Sequence, residues 1–221
     1  MDFLNPGGNN YVEERRRMVA AQLMERGISN QAVLHSMLSV PRHLFVPVSL
    51  REKAYHDGPL PIGRGQTISQ PYIVALMAEA LEPSRRDRVL EIGTGSGYGA
   101  AVLSLIVAGV YTIERHELLA KQAESVFQNL KYKNIQVLIG DGTKGWPAEA
   151  PFDGIVVTAG APDVPGSLLG QLITGGRLVI PVGAQGRQEL LRLRKKPDGS
   201  CARESLGPVR FVPLIGDEGW N

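Results

Sequence analysis

The sequence predicts an α/β doubly wound, mostly parallel sheet, and three observations predict it. Short apolar runs alternate with helical patterns five times between Val89 and Val182. The first run, Val89 to Ile92, passes straight into a glycine-rich turn, Gly93-Thr94-Gly95-Ser96-Gly97-Tyr98-Gly99. Candidate ligand-binding residues stand at the carboxyl ends of four of the runs: Gly93 with its turn, Glu114, Asp141 and Thr158. Strand, glycine turn, helix is the arrangement in which a backbone loop approaches a nucleotide closely, as in Rossmann-like domains. Ligands bind such sheets beyond the carboxyl ends of the strands.

The elements follow in order. Residues 1–10 are polar and glycine-containing and are expected to be disordered. A helix is expected from Tyr11 to Arg26, with Val12, Val19 and Leu23 on one face and Gly27 ending it. Asn30 can cap a second helix, in which Val33, Met37 and Val40 form one ridge and Leu34 and Leu38 another. Pro41 closes it. Residues 41–72 carry five prolines and three glycines and are expected to form a long shaped loop, a length that tends to be functional. A helix resumes after Pro71 through Val74, Met77, Ala78 and Leu81. Thr67, Ser69 and Gln70 thus stand at the mouth of a helix, where capping and anion binding are both open readings.

After the glycine turn, Ala101 with Leu105 and Val102 with Ile106 mark a helix. Val110 to Ile113 is a strand ending in Glu114, about twenty positions beyond Gly93, where a carboxylate can accept both hydroxyls of a ribose. Leu119, Ala123, Val126 and Leu130 mark the next helix. Ile135 to Ile139 is a third strand ending in Gly140-Asp141-Gly142, where an aspartate suits the exocyclic amine of adenine or a simple turn. Asp153 to Thr158 is a fourth strand, Leu168, Leu169 and Leu172 a helix, and Arg177 to Val182 a fifth strand. Leu190 to Arg194 and Val209 to Leu214 read as antiparallel additions to the sheet edge. The whole is expected to be one domain, 1–221. In it, 11–84 form a helical and loop appendage carrying the substrate segment, and 85–221 the cofactor-binding core.

The turn discriminates among nucleotides. The dinucleotide pattern G-x-G-x-x-G needs glycine at position 98, where Tyr98 stands. Glu91, inside the strand before it, would repel a pyrophosphate and suits a ligand bearing an ammonium and a sulfonium. E-x-G-x-G-x-G resembles the first motif of methyltransferases that use S-adenosylmethionine. Bulk properties narrow the field further. A formal net charge of +2 makes no strong claim on nucleic acid. The lone Cys201 excludes an internal disulfide and suits a reducing compartment. The absence of a signal-peptide pattern or a membrane-spanning apolar run leads to the expectation of a cytoplasmic protein.

Gly58-Pro59-Leu60-Pro61-Ile62-Gly63 and Gln66-Thr67-Ile68-Ser69-Gln70-Pro71-Tyr72 resemble the protein-L-isoaspartate O-methyltransferases, which repair damaged aspartyl and asparaginyl residues. Val40-Pro41-Arg42, Phe45-Val46-Pro47, Ala150-Pro151-Phe152-Asp153, Pro181-Val182-Gly183 and Arg210-Phe211-Val212-Pro213-Leu214 fit the same family, so the resemblance runs from about residue 11 onward.

It implies that Ser69 is the active-site serine. Thr67, Ile68, Gln70, Pro71 and Tyr72 would belong to the loop and helix that close over substrate and cofactor. Glu91, Gly93, Thr94, Gly95 and Gly97 would cradle the methionine part of S-adenosylmethionine, Glu114 its ribose, and Asp141 with Gly142 its adenine. Val212 and Pro213 would meet the substrate, an isoaspartyl-containing protein or peptide, leaving S-adenosylhomocysteine as product. A monomer with no metal, no nucleic-acid partner and no membrane partner is also expected.

Some relatives carry a histidine on the substrate helix, where this chain has Tyr72 and Val74. A nucleic-acid adenine methyltransferase would show an Asn/Asp-Pro-Pro-aromatic stretch after the fourth strand, and Thr158-Ala159-Gly160-Ala161-Pro162 lacks it. A metal-dependent catechol-type enzyme would want clustered hard-cation ligands there. A non-catalytic cofactor-binding module would keep the glycines but has no need of a serine-bearing segment such as 64–71.

Overall fold

The computed structural model describes residues 10–221. Residues 1–9 of the tail expected to be disordered lie outside the described residues. Asn10, placed in that tail by the sequence, instead caps α1 (Tyr11–Arg17), its side chain accepting from the Glu13 N–H. The expected helix to Arg26 continues as a π-helical turn, Met18–Leu23, and a 3-10 turn, Met24–Arg26, before Gly27 at φ 94° stops it. The π turn rotates the buried face. Met18, Val19 and Leu23 are therefore buried, whereas Val12 is exposed.

Asn30 caps α2 (Gln31–Ser39) as expected, accepting from the Ala32 and Val33 N–H groups. Val33, Met37 and Val40 are buried with Leu34, and Leu38 is exposed. Residues 41–72 are more ordered than a loop. They hold two 3-10 turns, Arg42–Phe45 and Val48–Lys53, and an antiparallel hairpin of β1 (Leu60–Gly63) and β2 (Gln66–Ile68). The hairpin turns at Arg64 and Gly65, both with positive φ. α3 (Pro71–Ala80) then starts with proline at a position whose N–H would lack a helical partner anyway.

The main sheet has seven strands. They are β3 (Arg88–Ile92), β4 (Gly109–Glu114), β5 (Ile135–Ile139), β6 (Phe152–Val157), β7 (Leu172–Ala184), β8 (Arg187–Lys195) and β9 (Cys201–Val209), in the order β5-β4-β3-β6-β7-β8-β9. The first five in that order are parallel, and β8 and β9 are antiparallel additions. The chain runs outward from β3 through β4 and β5, then crosses to β6 and β7 on the other side. That reversal puts the ligand crevice at the carboxyl end of β3.

The connecting helices are α4 (Tyr98–Ser104), α5 (Glu117–Asn129) and α6 (Gly166–Gly170). One apolar layer joins Val89, Ala101, Leu119 and Phe127 to the N-terminal helices. The other joins Leu90, Ile92, Ile113, Ile155 and Leu178 on the opposite face. Burial on both faces is why these strands read as near-continuous apolar runs.

Three sequence expectations are corrected here. Leu105 falls just past α4 and is exposed. Leu172 is the first residue of β7 rather than part of a helix. The closing strand is Cys201–Val209, not Val209–Leu214. Beyond it, the chain is held by a bridge at Pro213: the Gly160 N–H donates to the Val212 carbonyl at 2.8 Å and the Leu214 N–H to the Gly160 carbonyl at 2.9 Å.

Candidate active site

The crevice is a cleft of about 1080 Å³, bounded by the glycine turn, the residues after β2, the ends of β4 and β6, and the segment beyond β9. That is ample for a nucleoside-sized ligand together with the end of a peptide.

Gly93, Gly95 and Gly97 all have positive φ, at 95°, 54° and 86°. Their surroundings differ. A Cβ on Gly93 would collide with the Thr158 hydroxyl, which donates to the Gly93 carbonyl at 2.7 Å and joins β6 to the turn. A Cβ on Gly95 would have only Ile62 of the hairpin within reach, at 3.5 Å, so this glycine faces the cleft. A Cβ on Gly97 would sit 2.6 Å from the Phe127 ring and 3.1 Å from Ala123. Gly97 therefore lies outside the cleft wall and lets α5 pack against the start of α4.

Two carboxyl groups face the same cleft. Glu91 is 1% exposed and accepts from the Thr112 hydroxyl at 2.7 Å, with Thr94 bonded to Thr112 in turn at 2.7 Å. Burial pushes the Glu91 carboxyl up to about 8, against the Thr112 hydrogen bond and with a further rise from the Glu114 charge. Glu114 accepts from the Gly95 N–H at 2.8 Å and from the His116 N–H at 2.9 Å, one through each oxygen, and so straps the glycine turn to the loop after β4. The Glu114 charge disfavours an anion there, and a buried carboxyl that gains a nearby cation can give up its proton to pair with it, so the site favours a cationic ligand such as the sulfonium and ammonium of S-adenosylmethionine.

The remaining expected residues divide. Thr67, Ile68, Ser69 and Gln70 line the same cleft as the glycine turn, as do Gly142, Val212 and Pro213. Ser69 is half-buried, and its hydroxyl has no hydrogen-bond partner among the described residues. The Gln70 amide donates to Asp57 at 2.7 Å, and Asp57 also accepts from Arg26 at 3.2 Å.

Pro71 and Tyr72 stand behind the wall. Pro71 is buried at the start of α3, and the Arg26 guanidinium stacks over the Tyr72 ring, 3.7 Å from its centroid. Asp141 does not line the cleft either. It caps the 3-10 turn Gly142–Lys144. One oxygen accepts from the Thr143 N–H and hydroxyl, and the other from the Asp217 N–H at 2.9 Å.

Two residues bearing on the site went unassigned in the sequence. Thr112 pairs with Glu91 across β3 and β4, and a hydroxyl amid apolar strand residues was its only signal. Arg42 appeared only within a family stretch, and its location is a matter of tertiary packing. No helix among the described residues is long and apolar enough to cross a membrane.

The protein-L-isoaspartate(D-aspartate) O-methyltransferase family profile matches residues 13–219. A protein-L-isoaspartate O-methyltransferase of Pelotomaculum thermopropionicum is 65% identical over 213 residues, covering 96% of this chain and 93% of its own. Protein-L-isoaspartate O-methyltransferase 2 of Pelobacter propionicus is 58% identical, over 97% and 96%. Among solved structures, one protein-L-isoaspartate O-methyltransferase superposes with a TM-score of 0.83 at 30% identity, over 93% of this chain and 67% of that one. A Plasmodium falciparum protein assigned to the same class, solved with S-adenosyl-L-homocysteine, has a TM-score of 0.77 at 26% identity, over 94% and 99%. With a family match over almost its entire length and relatives of this identity, the chain belongs to the protein-L-isoaspartate(D-aspartate) O-methyltransferase family.

Proposed function

We propose that this chain transfers the methyl group of S-adenosylmethionine to the free carboxylate of L-isoaspartyl residues in damaged proteins and peptides, with Ser69 orienting the carboxylate. The observation that carries the reading is that one cleft is lined both by Glu91, Gly95 and Glu114 and by Ser69, whose hydroxyl has no protein partner among the described residues.

The chemistry asks little of the protein beyond alignment. The isoaspartyl carboxylate titrates near 3.5, so it is already the nucleophile at neutral pH and no base is required. S-Adenosylmethionine, when bound, supplies a methyl group on a positively charged sulfur, a good leaving group. Glu91, with the Gly93, Thr94 and Gly95 backbone, holds the ammonium end. Glu114 keeps free lone pairs beside its two backbone donors for the ribose hydroxyls. Asp141 stands outside the cleft lining with three hydrogen bonds already on its carboxylate, so the adenine amine would reach it only at its one remaining acceptor site, past Gly142.

Ser69 donates to one carboxylate oxygen and leaves the other in line for attack. Ile68 and Phe211 make the cleft wall apolar, which limits water near the nucleophile. Val212 and Pro213 offer backbone to the peptide, and Gln70 sits at its entrance. Discrimination then rests on backbone geometry, because an ordinary aspartate carries its carboxylate one carbon further from the main chain.

The decisive assay offers a matched pair of peptides that differ only in this linkage and counts transferred methyl groups. Selective methylation of the isoaspartyl peptide is expected, and equal methylation of both would overturn the proposal. Ser69→Ala is expected to lower turnover roughly ten- to a thousandfold with little change in cofactor affinity, and raising the pH should not restore it.

We read the chain as a single methyltransferase domain, 1–221, acting as a monomer in the cytoplasm on proteins rather than nucleic acid. The near-neutral charge, the single cysteine and the Thr158-Ala159-Gly160-Ala161-Pro162 stretch after β6 support that reading.

A further inference from the structure

We propose that Arg42 is the positioning residue of the reaction, fixing the Ser69 peptide group, and with it the direction of the Ser69 hydroxyl, from inside the protein. The inference rests on the Ser69 role proposed above.

Arg42 is 0% exposed, the largest fully buried side chain among the described residues. No carboxylate among the described residues pairs with it. Its Nε donates to the Ala54 carbonyl at 2.7 Å and its Nη2 to the Ser69 carbonyl at 2.7 Å, while Nη1 has no partner. Its guanidinium carbon lies 4.8 Å from the centroid of the buried Tyr98 ring. Burial lowers its pKa to about 10, with Tyr98 and Tyr55 opposing the fall, so the group stays charged at neutral pH.

An unpaired buried cation is a costly way to fill space, and an apolar side chain of like volume would pack there more cheaply. What the guanidinium offers in return is rigid, two-pronged donation. Ala54 ends the 3-10 turn Val48–Lys53, six residues before β1, and Ser69 directly follows β2, so one planar group joins the two ends of the segment that contains the hairpin. Tyr98 opens α4 directly after the glycine turn and lines the cleft. Arg42 thus refers the serine-bearing segment to the element that carries the cofactor loop. Ser69 itself lies between the end of β2 and the start of α3, outside both hydrogen-bonded elements, so its carbonyl bond to Arg42 is what fixes its peptide plane. A rotation of that plane would swing the hydroxyl away from the carboxylate, and displacements of about an ångström suffice to cost large factors in rate.

The test is a double-mutant cycle on turnover. Wild type, Ser69→Ala, Arg42→Lys and the double variant are assayed with an isoaspartyl peptide. S-Adenosylhomocysteine affinity by calorimetry and thermal melting serve as controls. Lysine keeps the charge but reaches only one of the two carbonyls. Arg42→Lys is expected to lower kcat about tenfold or more in the wild-type background, with cofactor affinity and peptide KM held within about threefold. In the Ser69→Ala background the same change should lower kcat by less than about threefold, because the group it positions is gone. Arg42→Met carries the same cycle if the lysine variant does not fold. Undiminished turnover in Arg42→Lys, or the same loss in both backgrounds, overturns the inference and leaves the Ser69 role standing. Full activity in Ser69→Ala alone removes the Ser69 role and Arg42's with it.

Discussion

Replacing Glu91 with glutamine is expected to stabilise the ligand-free protein at neutral pH while weakening its hold on S-adenosylmethionine. The carboxyl is fully buried at the end of β3, and burial raises its pKa from 4.5 to about 8. In the unfolded chain it ionises near 4.5; in the fold it keeps its proton until about 8. Its contribution to stability is therefore fully present below 4.5 and is lost as the pH rises toward 8. The loss accumulates at about 1.4 kcal/mol per pH unit and reaches roughly 3 kcal/mol by pH 7. Glutamine has nearly the same shape, can still accept from Thr112, and does not ionise.

Urea unfolding at pH 4.5, 6 and 7.5 measures the difference between the two proteins, in which every other titrating group cancels. The variant should match wild type at the lowest pH and gain steadily on it above. Calorimetry at pH 7.5 should show the opposite sign for S-adenosylmethionine, since the ligand's positive charge draws the proton off Glu91 and pairs with the carboxylate, whereas the amide cannot become charged. A stability difference that does not change with pH would show that Glu91 is ionised in the fold and would refute the reasoning.

The glycine turn makes a paired prediction. Gly95→Val is expected to abolish S-adenosylhomocysteine binding in calorimetry while the protein still unfolds cooperatively at a lowered melting temperature, because its side chain enters the cleft and a branched residue is strained at φ 54°. Gly97→Ala, by contrast, should destabilise by about 1–3 kcal/mol in urea unfolding, because its Cβ meets Phe127 at 2.6 Å. Glu114→Ala should weaken the cofactor by about 1–3 kcal/mol and raise its apparent KM more than it lowers kcat; an unchanged KM would count against the ribose role.

Glu82, at the end of α3, accepts from Arg177, Arg192 and Arg194, and the Arg177 and Arg194 hydrogen bonds hold its carboxyl down at about 2. The stabilisation is present above 4.5 and lost as the pH falls through 2. The side chain is 41% exposed and screened by solvent, so Glu82→Gln should cost less than about 1 kcal/mol at pH 7. That difference should vanish in melts at the acid limit.

What the sequence by itself determined were the features with a local cause. The parallel core was legible because its inner strands β3, β4 and β6 are buried on both faces, and these, like the half-exposed edge strand β5, are written as apolar runs between turn residues. Asn30 and Gly27 marked helix ends because capping and positive φ are properties of single positions. Gly93, Gly95 and Glu114 were legible because a turn and a strand end dictate them.

Tertiary structure alone decided the rest. β9, Cys201–Val209, is largely exposed and lacks an apolar alternation, so pairing with β8 made it a strand, while the more apolar Val209–Leu214 was taken up as cleft wall. Met18 displaced Val12 from the buried face because a π turn shifts the helical phase, which the 3.6-residue pattern does not anticipate. Pro71 and Tyr72 follow the cleft-lining residues up to Gln70, and the first turn of α3 takes them out of the lining while Ile73 and Val74 return to it. Asp141 stands at the expected strand end, yet the distant Asp217 N–H takes part of its carboxylate. Arg42 gave no sign of burial, since charge normally predicts exposure. Its place follows from two carbonyls, 12 and 27 residues away, that meet only when the hairpin folds back over the sheet.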